Sequence, residues 1–152
     1  MARKRRSRLT DFPSREETLA LMQEYTASDS LRKHMLSVEA AMRAYAAKFG
    51  EDVERWGITG LIHDFDYERF PNAAHSATEE HPAEGVRILR SKGFPEDILE
   101  AILGHAQYCG VPRVTQMSRT PKPARSRTST AALTRIITTT SRCDVQWRRI
   151  NR

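Results

Sequence analysis

Six apolar residues, Leu31, Met35, Val38, Met42, Tyr45 and Phe49, recur at spacings of 4-3-4-3-4. Only a period near 3.6 lines such residues up on one stripe, so this segment reads as a long amphipathic helix. About 20 residues at 1.5 Å each make a rod of roughly 30 Å, long enough to cross a small domain. A rod with one apolar stripe must bury it against other elements. Ser28, Asp29 and Ser30 offer N-caps in front of it, and Gly50 offers a C-terminal stop.

The neighbouring segments are helical too. Ser14 and Glu17 have capping-box spacing after Pro13, so a first helix begins there and runs to about Tyr25. A third helix starts near Glu51 or Asp52, carries Trp56, Ile58, Leu61 and Ile62, and ends close to His63-Asp64. Residues 65–80, with Pro71 and Asn72, read as a loop. A short fourth helix has Pro82 at its first position and stops at Gly93. A fifth opens at Pro95, with Glu96 and Asp97 suited to the helix dipole. No alternating strand pattern competes. The expected class is all-α, a compact helical bundle of about five core helices.

Charge divides the chain. Residues 2–8 carry five basic side chains and no acidic one. Residues 119–152 carry nine basic side chains against the single acid Asp144, together with ten Ser and Thr. The part between, 9–118, is left with a net charge of −7. The expected organisation is a basic arm (1–12), a helical domain (13–118) and an irregular Arg/Thr/Ser-rich tail (119–152). Basic ends can bind nucleic acid, but no aromatic interleaving or reader motif accompanies them, so that function ranks last. No apolar run approaches the roughly 18 residues of a membrane span. Two cysteines, Cys109 and Cys143, are too few for a disulfide framework, and a cytoplasmic setting is expected.

Four of the five histidines then stand out: His34, His63, His81 and His105, with Asp64 beside His63. At 100° per residue, His34 lies about 60° from the centre of the apolar stripe and so borders the buried face. His63-Asp64 closes the third helix, and His81 opens the fourth. Ile98, Ile102 and His105 share one face of the fifth. Taken singly, each histidine has a plainer explanation, at the surface or bonded to a carbonyl. Together they give every helix after the first one group to aim at a shared cavity, as metal sites in bundles do. His34, His63 and Asp64 can hold one divalent ion, and His81 and His105 a second. Two such ions would serve hydrolysis at phosphorus, with His63 and Asp64 as the catalytic pair.

The segments LRKHMLSVEAAMRAYA, GLIHDFDYERFP, EEHPAEGVRILRSKGFP and ILEAILGHAQYCGVPR follow one another from Leu31 to about Thr115. In that order they resemble small single-domain members of the HD superfamily of metal-dependent phosphohydrolases, often labelled HDIG-domain proteins. The resemblance implies the HD-type helical bundle and hydrolysis of a phosphomonoester or phosphodiester, often of a nucleotide. It implies one or two divalent ions (Mn, Fe, Zn, Co or Mg) and a small phosphorylated substrate. In the family, the residues matching His34, His63 and Asp64 bind the first metal with a distal Asp, and those matching His81 and His105 serve a second. The distal Asp rides on an apolar helix after the Gly110-Val111-Pro112 segment. Here the next acidic residue after Glu100 is Asp144, in SRCDVQW, which does not resemble that motif. A metal- or nucleotide-binding protein without turnover is therefore the alternative function.

Arg69 and Lys33 are the candidate cations for a substrate phosphate. Asp66, Glu68 and Arg69 are expected mainly at the surface, as is His75. Trp56 and Phe49 are expected in the core.

Overall fold

The computed structural model describes residues 12–111, which form five α-helices and one 3-10 turn. They are α1 (Arg15–Tyr25), α2 (Asp29–Phe49), α3 (Val53–Ile62), α4 (Ala83–Ser91) and α5 (Glu96–His105), with the turn at Gln107–Cys109. No strand occurs among the described residues, as the sequence pattern requires. The expected tail lies outside the described residues, as does the arm except for Phe12.

The helix ends follow local chemistry. Ser14 Oγ accepts the Glu17 N–H at 3.2 Å, and the Ser14 N–H donates to the Glu17 carboxylate at 2.8 Å, completing the capping box. Ser28 Oγ accepts the Leu31 N–H and caps α2. Gly50 ends α2 at φ 71°, a left-handed conformation that glycine adopts without steric cost. Pro82 is the N-cap of α4, so the helix starts at Ala83, one position later than expected.

The α2 stripe is buried over its first three turns and not over its last. Met35, Val38 and Met42 are fully enclosed, whereas Tyr45 is 44% and Phe49 57% exposed. Core placement of Phe49 is thus corrected. Its ring stacks with Tyr45 at 5.9 Å and leans on the buried Trp56 at 6.3 Å. α3 starts at Val53, just past the end of α2, and runs back along it, with Gly57 against Arg43 and Gly60 against Met42, so Phe49, the last residue of α2, sits at the rim of their contact.

Two features hold α2 in place. Gly60 of α3 sits directly against it: a Cβ there would meet Met42 Cγ at 2.8 Å and the Val38 carbonyl oxygen at 3.0 Å. Glu39, 4% exposed, accepts hydrogen bonds from Arg15 at 2.6 and 3.0 Å and from Arg43 at 2.9 Å. A buried carboxylate needs such partners to offset its lost hydration.

The long connection between α3 and α4 is pinned rather than loose. Thr26 Oγ1 donates to the Phe65 carbonyl at 3.0 Å. The Glu68 carboxylate accepts the Ala27 and Ser28 N–H groups at 2.8 and 2.7 Å. Further on, the Glu80 carboxylate accepts the Ala74 N–H at 3.0 Å and the Ser76 N–H at 2.9 Å. These contacts fix where His63, Asp64 and His81 stand.

Candidate metal centre

All five expected ligands meet in one place. His34 comes from the second turn of α2, and His63 is the C-cap of α3, with Asp64 next in the turn. His81 precedes α4, its N–H held by the Phe70 carbonyl at 2.8 Å. His105 is the last residue of α5. Asp64 Oδ2 lies 3.3 Å from His34 Nε2 and 3.2 Å from His63 Nε2. Its other oxygen, Oδ1, lies 3.3 Å from His81 Nε2 and 3.4 Å from His105 Nε2. Within each half the two imidazoles also touch: His34 and His63 Nε2 atoms are 3.3 Å apart, and those of His81 and His105 3.2 Å.

The far side of the rings decides what the near side can do. His63 Nδ1 lies 2.8 Å from the Gly60 carbonyl, His105 Nδ1 lies against the Ile102 carbonyl, and His81 Nδ1 lies 2.7 Å from Asp66 Oδ1. Carbonyls and carboxylates accept, so these three rings donate from Nδ1. In the neutral ring the Nε2 atom then carries a lone pair. Lone pairs of several imidazoles facing one carboxylate repel unless a proton or a cation lies between them. The donor set therefore fits a divalent ion of the Zn, Fe, Mn or Co kind. Two groups of ligand atoms can each hold one: His34 with His63 and Asp64, and His81 with His105 and Asp64. The sequence reading put Asp64 on the first ion alone; the geometry shares it.

Protons compete for the same atoms. Burial alone would raise the Asp64 carboxyl. The charge on His63, with hydrogen bonds from His105, His34 and His63, outweighs that and holds it well below the usual carboxylate range. Burial disfavours a charged His81, yet its hydrogen bonds to Asp64 and Asp66 win and push its pKa up to about 10. His105 is shifted down, first by burial and then by the charges on His81 and His63. Without metal at neutral pH, His81 thus keeps its extra proton. The raised pKa makes this pairing a stabilising contribution that is complete below about 6.5 and fades as pH rises towards 10. Metal must displace that proton. Apparent metal affinity is expected to rise about tenfold per pH unit on this account, with one proton released per ion in the His81 half. Calorimetry in buffers of different ionisation enthalpy measures the release; zero release contradicts the assignment.

Asp66 was expected at the surface and is 1% exposed. Its carboxylate is bonded at both oxygens, to His81 Nδ1 and, at 2.9 Å, to the Gly85 N–H. The sequence held one usable signal: Gly85 interrupts an otherwise good helix four residues after His81. The Tyr108 hydroxyl donates to the His81 carbonyl at 2.5 Å. The two expected phosphate contacts do not join the cluster. The Arg69 guanidinium donates to the Glu24 carbonyl at 2.7 Å and lies 3.8 Å over the Tyr25 ring. Lys33 is exposed beside His34.

The family described as "HD domain" matches residues 31–137. This chain belongs to the HD-domain family. Neither a curated protein nor a solved structure matches it. The HD match continues past Thr115, where the motif-by-motif resemblance stops, into sequence beyond the described residues. The HD domain is a helical fold of the metal-dependent phosphohydrolase superfamily, and with the His/Asp cluster it points to a divalent metal. No described helix is long and apolar enough to cross a membrane.

Proposed function

We propose that this HD domain hydrolyses a phosphomonoester or phosphodiester of nucleotide-like size. The observation that carries the reading is Asp64, whose two oxygens each face a separate pair of imidazoles. His34 and His63 would hold one divalent ion, His81 and His105 the other, and Asp64 both. When bound, such a pair supplies hydroxide at neutral pH and offsets charge on the phosphoryl oxygens. The chain's own contribution is to fix the imidazoles from behind, through the Gly60 and Ile102 carbonyls and Asp66.

In this reading the organic part of the substrate would lie beside the cluster. A surface cavity of about 380 Å³ is lined by Ser28, Ser30, Leu31, Tyr67, Glu68 and Pro71. It adjoins the cluster through Tyr67, whose ring lies 5.3 Å from that of His81. Lys33 is the proposed cation for a substrate phosphate. Arg69 can serve only by leaving Glu24 and Tyr25.

One observation supports binding without turnover as a second reading: no acidic side chain follows Glu100 before Asp144. Fewer carboxylates leave more positive charge uncompensated. Metal analysis of the full chain, with an assay on p-nitrophenyl phosphate, bis-p-nitrophenyl phosphate and nucleoside monophosphates, separates the readings. Bound metal with chelator-sensitive hydrolysis supports the enzyme. Bound metal and nucleotide without turnover supports the second reading, and a chain that takes up no metal sinks both.

A further inference from the structure

His81 and His105 reach the centre from different segments, and the Tyr108 hydroxyl joins those segments. His81 is 2% exposed, so both of its backbone polar groups need partners. Its N–H is held by the Phe70 carbonyl at 2.8 Å. Its carbonyl falls at the start of α4, where the Glu84 N–H donates to the Glu80 carbonyl and the Val86 N–H to the Pro82 carbonyl. The donor between those two is the Gly85 N–H, which donates instead to Asp66 Oδ2 at 2.9 Å. The Tyr108 hydroxyl serves the His81 carbonyl in its place, at 2.5 Å.

Tyr108 stands three residues after His105, in the turn Gln107–Cys109. Two backbone bonds hold that turn, from the Cys109 N–H to the Ala106 carbonyl at 3.2 Å and from the Gly110 N–H to the Gln107 carbonyl at 3.3 Å. The hydroxyl thus ties His81 to a short, hydrogen-bonded extension of α5. It also accepts a hydrogen bond from Asn72 Nδ2 at 3.2 Å, and the Tyr108 ring meets that of His75 edge-on at 5.1 Å. Ligands held in register before an ion arrives leave less ordering to be done on binding. Losing a group that orients a metal ligand typically costs about 10–100-fold in affinity.

We propose that Tyr108 is a positioning residue that sets His81 against His105, so that losing its hydroxyl weakens metal binding in that pair and not in the His34–His63 pair. The proposal rests on the two-ion reading above and adds to it a residue from outside the cluster.

Full-chain variants isolate the halves. His34→Ala leaves His81, His105 and Asp64, and His81→Ala leaves His34, His63 and Asp64. Titration with Co²⁺, followed by calorimetry and by the visible Co²⁺ spectrum, reads each half with and without Tyr108→Phe, which keeps the ring and removes the hydroxyl. In the His34→Ala chain, Tyr108→Phe should lower Co²⁺ affinity by about tenfold and alter the spectrum. In the His81→Ala chain it should change neither. Replacing Tyr108 with p-aminophenylalanine returns an N–H donor to the same place and should restore affinity in the His34→Ala chain. Equal weakening in both chains overturns the proposal, because a general loss of stability produces that. So does unchanged affinity in the His34→Ala chain, no recovery with the amine, or a Tyr108→Phe chain that has lost its helical circular dichroism. Each of these leaves the two-ion reading intact. A wild-type or His34→Ala chain that takes up no Co²⁺ overturns both.

Discussion

Replacing Asp64 with alanine should remove metal from both halves of the centre at once. Its two oxygens are the one feature common to the His34–His63 and His81–His105 pairs. Losing a single histidine leaves the opposite pair with its carboxylate oxygen; losing Asp64 takes from all four imidazoles the carboxylate they share. Metal analysis should therefore find both ions lost in Asp64→Ala and one retained in His34→Ala. If the chain hydrolyses phosphoesters, the loss of several kcal/mol of metal stabilisation amounts to about a thousandfold or more in rate. An Asp64→Ala chain that keeps one ion at wild-type affinity would refute the shared-carboxylate arrangement.

The second large effect is expected at Gly60→Ala. The added methyl would lie 2.8 Å from Met42 Cγ and 3.0 Å from the Val38 carbonyl, so α2 and α3 must separate. Overpacking of this kind costs about 1–3 kcal/mol. In a domain this small, each kcal/mol lowers the melting temperature by roughly 4–8 °C. The same residue's carbonyl accepts from His63 Nδ1, so the shift should also weaken metal binding in the His34–His63 half. Thermal melts with and without chelator test the pairing of effects. A melting temperature unchanged by the substitution would show that the interface can give without cost.

Much of this arrangement was legible in the chain. The 4-3-4-3-4 stripe, the Ser14/Glu17 box, Gly50 and the Pro95 opening each act through a few neighbouring residues, and each stands where expected. The His/Asp cluster was legible because helix periodicity and helix ends fix which way His34, His63 and His105 face. Where partners came from distant segments, legibility failed. Asp66 looks like any acid in a polar loop, since its burial depends on Gly85 nineteen positions later. Arg69 looks like a phosphate ligand, and what occupies it is the end of α1. Phe49 satisfies the stripe perfectly and is exposed, because periodicity states which face is apolar and not how far another helix covers it.

The sequence by itself determined the all-helical class, the helix boundaries to within a residue or two, and the five side chains that cluster together. Periodicity, capping and turn chemistry are short-range, and they act before any packing exists. Only the tertiary structure decided that Asp64 faces both imidazole pairs and that Asp66 stands behind His81. Both follow from how α2, α3, α4 and α5 converge, and that convergence is set by close approaches such as Gly60 on Met42 and Gly85 on Asp66. Those contacts join residues far apart in the chain, and no local pattern records them.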